Sequence, residues 1–356
     1  MMRARFCLAS LLALSAAATH AEQAQPRFTP DGTVQVPAFD LPPSELASEE
    51  ARAMQRQRGV RPAAPPRQQE PDIAARRAQL DAMMAPQVQA MRTRYPVDIA
   101  EDVIAGVPVR IFTPKGAKAD PARVLINLHG GAFTMCWDSC SVLESAPIAA
   151  LGGYKVVSVN YRMAPEQAHP AGVEDAASVY AALLKHYRPQ RIGVFGCSAG
   201  GALTAQLAAW LPAHHLPQAG AIGIFGAGAV RMESGDSAWI AAAIDGSFPA
   251  PARPGEAAID MTRGYFKAAD MGDAIISPAL HPDVLAHFPP TLLITGTRAM
   301  DMSPAVYTNS QLLKAGRRST LIVGEAMGHC YSYMADLPEA RDAHAASIAF
   351  FREHLK

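Results

Sequence analysis

The chain of 356 residues has no excess of charge of either sign and no block of basic residues. Its 32 Lys and Arg residues are balanced by 32 Asp and Glu residues. Proteins that bind nucleic acid or anionic membranes usually carry a basic stripe or patch, so neither is an expected partner. The chain also lacks a His-Glu-x-x-His motif, a Cys-x-x-Cys pair and a phosphate-binding Gly-Lys-Thr motif. Nothing in it therefore predicts a metal or a nucleotide cofactor.

The apolar run near the N-terminus is too short to span a membrane. It covers residues 6–18, whereas a membrane-spanning helix needs about 20 apolar residues. A positively charged start precedes the run, and the small-residue sequence Thr19-His20-Ala21 follows it. This order predicts a secretory signal peptide over 1–21, cleaved near Ala21, and hence a periplasmic or secreted protein without stable membrane insertion. A buried N-terminal helix is the alternative.

Cysteine is scarce, with five residues in the chain. Removal of the signal removes Cys7 and leaves Cys136, Cys140, Cys197 and Cys330. Export permits disulfides. Cys136 and Cys140 are four residues apart and can meet on one helical face, so they form either a local bridge or two small buried thiols. The sequence leaves open whether Cys197 and Cys330 touch.

The composition predicts a large globular domain after an N-terminal lead-in. Apolar residues make up 49% of the chain and charged residues 18%, which suits a sizeable core. Residues 22–71 are rich in Pro, Gln, Arg and Ala, and we expect an extended lead-in with one helix near 44–57. Residues 72–94 have a helical period, and apolar strands then alternate with helices. This alternation predicts an α/β fold with a mostly parallel sheet covered by helices on both faces. Segment 228–272 breaks the alternation and predicts an inserted cap.

The sequence Gly196-Cys197-Ser198-Ala199-Gly200 stands between a β-favouring run and a helical pattern. Strand, tight turn and helix are the context in which Gly-x-Ser-x-Gly forms a nucleophile elbow. The two glycines are expected because a Cβ there would collide with a neighbouring strand or helix. Ser198 is thus the candidate nucleophile, and an ordinary Gly/Ser turn is the alternative. Cys197 is a weaker candidate, since an elbow centred on it would need a glycine where Ala199 stands.

A second glycine-containing turn supplies a candidate oxyanion hole. Gly130, Gly131 and Ala132 follow an apolar strand, and glycines let the backbone approach a substrate oxygen. The amide of Ala199, just after the nucleophile, is the other expected donor. A plain strand-to-loop turn is the alternative. His129 is expected to brace this loop.

The candidate base is His329, in the loop after the last predicted strand. It comes last in the order serine, acid, histidine that is typical of elbow hydrolases. Asp301 follows the penultimate strand and is the candidate acid. Glu325, four residues before His329, is the rival, and a site without any acid is a third alternative, because loss of the orienting acid leaves residual catalysis.

With these motifs in order, the chain resembles the hormone-sensitive-lipase-like (bacterial type IV) branch of the α/β-hydrolases. Three further runs are similar to that family, namely YRMAPE at 161–166, PAGVED at 170–175 and FPPTLLIT at 288–295. The resemblance implies esterase chemistry on an eight-stranded sheet, with a helical cap built from about 72–100 and 228–272.

The chain departs from the family pattern at three positions. Ala132 replaces the third glycine of the oxyanion motif, and Cys197 replaces the usual acid before the serine. At the position where the family usually has its catalytic acid, this chain has Ala299, and Asp301 follows two residues later.

These features together predict an exported serine hydrolase over 72–356 that needs no cofactor. Its expected partner is a small-molecule carboxylic ester with a short-to-medium acyl group. A catalytically weakened binding protein on the same fold is one alternative, suggested by Ala299. An amidase or lactonase with the same triad is another. The oligomeric state is not readable from the sequence.

Overall fold

A computed structural model describes residues 25–58, 72–253 and 255–356. The predicted signal peptide and residues 59–71 lie outside the described residues. The chain divides into two units between Pro42 and Pro43. In the first unit, β1 (Arg27–Phe28) pairs antiparallel with β2 (Val34–Gln35) across a tight turn.

The second unit is built on one eight-stranded sheet, as the family resemblance implied. The strands are β3 (Val97–Ile104), β4 (Val107–Pro114), β5 (Val124–Leu128), β6 (Lys155–Val159), β7 (Ile192–Cys197), β8 (Ala221–Phe225), β9 (Thr291–Gly296) and β10 (Ser319–Gly324). They lie in the order β10-β9-β8-β7-β5-β6-β4-β3. Pairing is parallel from β10 to β6 and antiparallel between β6, β4 and β3.

Helices cover both faces of this sheet. Successive side chains of a strand point to opposite faces, and the buried strand residues accordingly divide between two apolar clusters. The helices are α1 (Glu49–Arg58), α2 (Ile73–Arg94), α3 (Trp137–Gly152), α4 (Ala171–Leu183), α5 (Ala199–Ala213), α6 (Asp236–Ile244), α7 (Pro282–Leu285), α8 (Met302–Lys314) and α9 (Pro338–His354). Ile126 belongs to the cluster with α4 and α5, and Leu125 to the cluster with α3 and α9. The predicted fold class is confirmed.

The first strand of this sheet was missed by the sequence prediction. Residues 97–100 were assigned to the cap, but they belong to β3, which pairs with β4 along its whole length. The assignment failed because β3 is an edge strand with mostly exposed side chains, including three acids, and so lacks the apolar signal of a buried strand. The helical pattern at 72–94 is confirmed as α2. Within the described residues, none of the helices has the length and apolar character that a bilayer span requires.

Candidate active site

Ser198 stands on the strained turn that the motif predicted. It follows β7 directly and precedes α5, with φ 60° and ψ −125°. A non-glycine residue in this region costs energy that the surrounding packing must offset. A Cβ at Gly196 would lie 2.1 Å from the carbonyl oxygen of Leu128, and one at Gly200 would lie 1.7 Å from the same atom. The steric reason for both glycines is therefore confirmed.

His329 contacts Asp301, not Glu325. The distance from His329 Nδ1 to Asp301 Oδ1 is 2.6 Å. The other carboxylate oxygen of Asp301 accepts a hydrogen bond of 2.5 Å from Thr295 Oγ1, and Asp301 is fully buried. Glu325 is exposed. The ring of Phe248 meets the His329 ring edge-on, with 4.9 Å between the ring centres.

Ser198 and His329 line the same cavity, which has a volume of about 350 Å³. Because Nδ1 of His329 contacts Asp301, Nε2 is the ring nitrogen that remains available to exchange a proton with a group in the cavity. The oxyanion-loop residues Gly131 and Ala132 line it as well. Most of the remaining wall is apolar and includes Met54, Leu80, Met84, Met135, Phe248, Met261 and Met334.

Three successive residues of the oxyanion loop have a left-handed backbone, which the sequence analysis did not predict. Gly131, Ala132 and Phe133 have φ values of 114°, 54° and 59°. A Cβ at Gly131 would lie 2.0 Å from the carbonyl oxygen of Met135. One predicted donor needs correction, because the N–H of Gly130 donates to Glu144 Oε1 at 2.9 Å. The amides of Gly131 and Ala132 remain on this loop, with that of Ala199 on the elbow.

His129 braces the loop from inside the core, as expected from its position. Its Nδ1 donates to the carbonyl oxygen of Gly130 at 2.7 Å, and its ring stacks on Tyr161 with 4.4 Å between centres. Complete burial lowers the pKa of His129 to about 4, so the ring is neutral at pH 7. The hydroxyl of Tyr161 donates to the backbone oxygen of His129 at 2.7 Å.

A model of the α/β-hydrolase fold family matches residues 125–333. The chain belongs to the α/β-hydrolase family. An acetyl-hydrolase of Streptomyces hygroscopicus is 30% identical over 239 residues, which are 65% of this chain and 75% of that protein. The crystal structure of an esterase called E25 covers 90% of this chain and 99% of its own, with a TM-score of 0.78 and 29% identity.

The branch of the family agrees with the motifs. The crystal structure of an esterase from the bacterial hormone-sensitive lipase family covers 86% of this chain and 98% of its own, with a TM-score of 0.72 and 25% identity. The predicted identification as a hormone-sensitive-lipase-like α/β-hydrolase, and as an enzyme of the hydrolase class, is therefore confirmed.

The two family-like runs of this hydrolase at 161–166 and 170–175 have structural roles beside the site. Glu166 holds both terminal nitrogens of Arg77 on α2, at 2.7 and 2.8 Å, while Arg77 Nε donates to the carbonyl oxygen of Thr134 at 2.8 Å. Arg162 is bound by Asp175 through its backbone N–H at 2.7 Å and its Nε at 2.9 Å. The hydrogen bond from Arg77 to Thr134 joins α2 to the loop that carries the candidate oxyanion donors.

All four cysteines of the described residues form disulfides. Cys136 is bonded to Cys140, which selects the local bridge over two buried thiols. Cys197 is bonded to Cys330, the pair whose contact the sequence left open.

Sequence reasoning missed one buried carboxyl group at the centre of the hydrolase. Glu144 on α3 is 7% exposed and accepts four hydrogen bonds. Burial raises the pKa of Glu144 to about 7, against the effect of its donors. The available signal was its isolation, because Glu144 is the sole charged residue between Asp138 and Tyr154 in a run that is otherwise apolar or small. Among the described residues, no group of three or more His, Cys, Asp or Glu side chains is placed to hold a metal ion.

Proposed function

We propose that the protein is an exported serine hydrolase that cleaves carboxylic esters with short-to-medium acyl groups through a Ser-His-Asp acyl-enzyme mechanism. The 2.6 Å contact of Asp301 with His329, at the cavity that Ser198 shares, carries this proposal. A catalytic triad is recognised by its geometry and roles. The names of this protein's relatives, an acetyl-hydrolase and an esterase, support an ester as the substrate.

In the acylation step, Ser198 Oγ attacks the ester carbonyl carbon while His329 Nε2 takes the hydroxyl proton. Asp301 keeps the ring in the tautomer with a proton on Nδ1 and stabilises the imidazolium that forms. The imidazolium then returns the proton to the leaving alcohol as the carbon–oxygen bond of the ester breaks. General acid–base transfer of this kind contributes typically about 10²–10⁴ in rate.

The carbonyl oxygen becomes negatively charged when the new bond forms. The backbone N–H groups of Gly131 or Ala132, together with that of Ala199, bind this oxyanion. Ala199 is the first residue of α5, so the partial positive charge at the helix N-terminus adds to the attraction. Water then attacks the acyl carbon while His329 Nε2 takes a proton from it, which forms a second oxyanion. The bond from the acyl carbon to Ser198 Oγ breaks, the imidazolium returns the proton to Ser198 Oγ, and the carboxylic acid leaves.

The cavity supports a small, apolar substrate. A volume of about 350 Å³ lies near the lower end of the roughly 300–1,000 Å³ of small-molecule sites. Met54 on α1, Met84 on α2 and Met261 in segment 228–272 contribute to its wall. We therefore assign α1, α2 and that segment to a cap over the site. Flexible methionine side chains adapt to acyl groups of different shape.

The disulfides support export. Disulfides persist in the periplasm and outside the cell and are rare in the cytosol. Expression of the full chain in a bacterial host should give, in the periplasm or medium, a protein whose intact mass lacks residues 1–21. After denaturation without reductant it should react with no thiol reagent. Retention of residues 1–21 in a cytoplasmic, thiol-reactive protein would contradict export.

The catalytic proposal is tested with p-nitrophenyl esters, a matched amide and a lactone. We expect a burst of nitrophenol from short acyl esters in the wild type and none in Ser198→Ala. Faster turnover of the amide or the lactone would favour the amidase or lactonase alternative. The contact of Asp301 with His329 supports the enzyme over the binding-protein alternative, which rested on Ala299. Equal inertness of the wild type and Ser198→Ala would favour the binding protein.

A further inference from the structure

We propose that Glu144 is a positioning residue that holds the oxyanion loop and the nucleophile elbow in register through one buried carboxyl group. The proposal rests on the esterase function above. Glu144 lies on α3, a helix that contributes neither the nucleophile, the base nor an oxyanion donor.

Four donors converge on this carboxyl group. Oε1 accepts from the N–H of Gly130 at 2.9 Å and from the hydroxyl of Tyr333 at 2.6 Å. Oε2 accepts from the amide of Asn127 at 2.7 Å and from the N–H of Cys197 at 3.1 Å. The donors come from β5, from the loop after β5, from the end of β7 and from the segment that follows the base.

Two of these donors adjoin the groups that would bind the oxyanion. Gly130 directly precedes Gly131, and Cys197 directly precedes Ser198 and lies two residues before Ala199. The hole needs N–H groups from both segments at a fixed separation, because its donors must lie about 2.7–3.1 Å from the developing oxyanion. Glu144 accepts the N–H of Gly130 on one carboxyl oxygen and the N–H of Cys197 on the other, so it fixes the distance between the oxyanion loop and the elbow.

A carboxylate fits this place better than any neutral side chain. All four partners can donate, and an ionised carboxylate offers acceptors on both oxygens. A glutamine of the same shape would turn its NH₂ group toward two donors. Tyr333 could then reverse its hydroxyl and accept, but the backbone N–H of Gly130 or Cys197 could not. The isosteric substitution therefore removes a link to one of the two segments while nearly preserving volume.

The test compares Glu144→Gln with Asp175→Asn at pH 8. Asp175 is a matched control, because it is also 7% exposed and accepts hydrogen bonds from the backbone and side chain of Arg162 outside the proposed site. We expect Glu144→Gln to lower kcat by about 10²-fold, the cost of misplacing reacting groups by about 1 Å. KM should change less than threefold. Asp175→Asn should lose thermal stability but keep the kcat of the wild type.

Active-site titration with a fluorophosphonate normalises both variants to folded, reactive enzyme. A purely structural role of Glu144 would lower Tm and the titratable fraction but leave kcat per site unchanged, and that result would overturn the proposal. An equal loss of kcat in Asp175→Asn would also overturn it. Neither outcome touches the esterase function, which the inactivity of Ser198→Ala tests separately.

Tyr333→Phe decides the matter if Glu144→Gln does not fold. It deletes one donor to the carboxyl group but keeps the ring, which lines the cavity. Tyr180→Phe is its control, since the hydroxyl of the buried Tyr180 donates to the carbonyl oxygen of Pro217, and neither of these two residues lines that cavity. We expect kcat per site to fall by about tenfold in Tyr333→Phe, a loss equivalent to about 1.4 kcal/mol, and not in Tyr180→Phe. Unchanged kcat in both would overturn the proposal.

Discussion

Cys197 and Cys330 form a disulfide that joins the residue before Ser198 to the residue after His329. The two cysteines are separated by 133 positions in the sequence. Gly226 leaves room for this bond, because a Cβ there would lie 2.9 Å from both sulfur atoms. The covalent link therefore fixes the elbow against the loop of the proposed base.

Removal of this link should reduce both stability and activity. We expect Cys197→Ser/Cys330→Ser to lower the free energy of unfolding by about 5 kcal/mol, from the entropy of a loop of this length. We expect kcat to fall by at least tenfold, because the nucleophile and the base lose a shared anchor. Urea denaturation and steady-state ester hydrolysis measure the two effects.

The other disulfide provides the comparison for stability. Cys136 and Cys140 are four positions apart, so the same relation gives only about 2 kcal/mol for Cys136→Ser/Cys140→Ser. If the two double variants were equally stable, or if the Cys197 and Cys330 variant kept wild-type kcat, the anchoring role would be wrong.

Asp301 should matter far more than Glu325. Asp301→Asn leaves the shape of the site but removes the charge beside His329 Nδ1, and we expect kcat to fall by about 10⁴-fold, as in other triads. Glu325→Gln changes an exposed side chain and should keep kcat within twofold. Measured kcat values in the reverse order would overturn the assignment of the acid.

Gly131 should not tolerate a side chain. Gly131→Ala places a methyl group against the carbonyl oxygen of Met135 at a φ of 114°, so the loop must move. We expect kcat to fall by about 10²–10³-fold, the cost of losing an oxyanion donor. Gly106→Ala is the control, because Gly106 also has a positive φ but no atom within 4 Å of the added Cβ. It should lose stability without losing kcat.

Acid should destabilise the protein through His344. Burial lowers the pKa of His344 to about 4, below the usual 6.5 of the unfolded chain. The unfolded state therefore binds a proton that the folded state resists, so this contribution to stability is complete above pH 6.5 and is lost as the pH falls toward 4. The free energy of unfolding of the wild type, relative to His344→Leu, should drop by about 3 kcal/mol between pH 7 and pH 4. A constant difference across this range would show that His344 does not remain neutral.

The sequence predicted the parts of the site that local chemistry dictates. The elbow could be predicted because Gly-x-Ser-x-Gly stands between a β-favouring run and a helical pattern, and a Cβ at either glycine would collide with the carbonyl oxygen of Leu128. Asp301 was harder to predict, because counting along the chain places Ala299, not Asp301, at the position that the catalytic acid takes in the family. The loop after β9 brings the carboxylate to His329 just before α8 begins, a path that residue spacing does not reveal.

Long-range contacts could not be predicted. Glu144 on α3 accepts hydrogen bonds from Gly130, just after β5, and from Cys197, at the end of β7, and nothing in the spacing of 130, 144 and 197 indicates those contacts. The pairing of Cys197 with Cys330 depends in the same way on the whole fold. The prediction missed strand β3 for a different reason. Its pairing with β4 depends on backbone hydrogen bonds, and its polar side chains lack the apolar pattern by which a strand is recognised in a sequence.

The most direct test of the account is mass spectrometry of the enzyme quenched during turnover of a p-nitrophenyl ester. The account predicts one acyl group per chain, located on Ser198. It should be absent from Ser198→Ala, which lacks the nucleophile, and from His329→Ala, which lacks the base that activates it. Hydrolysis that persists in Ser198→Ala, or an acyl group carried by a different residue, would contradict it.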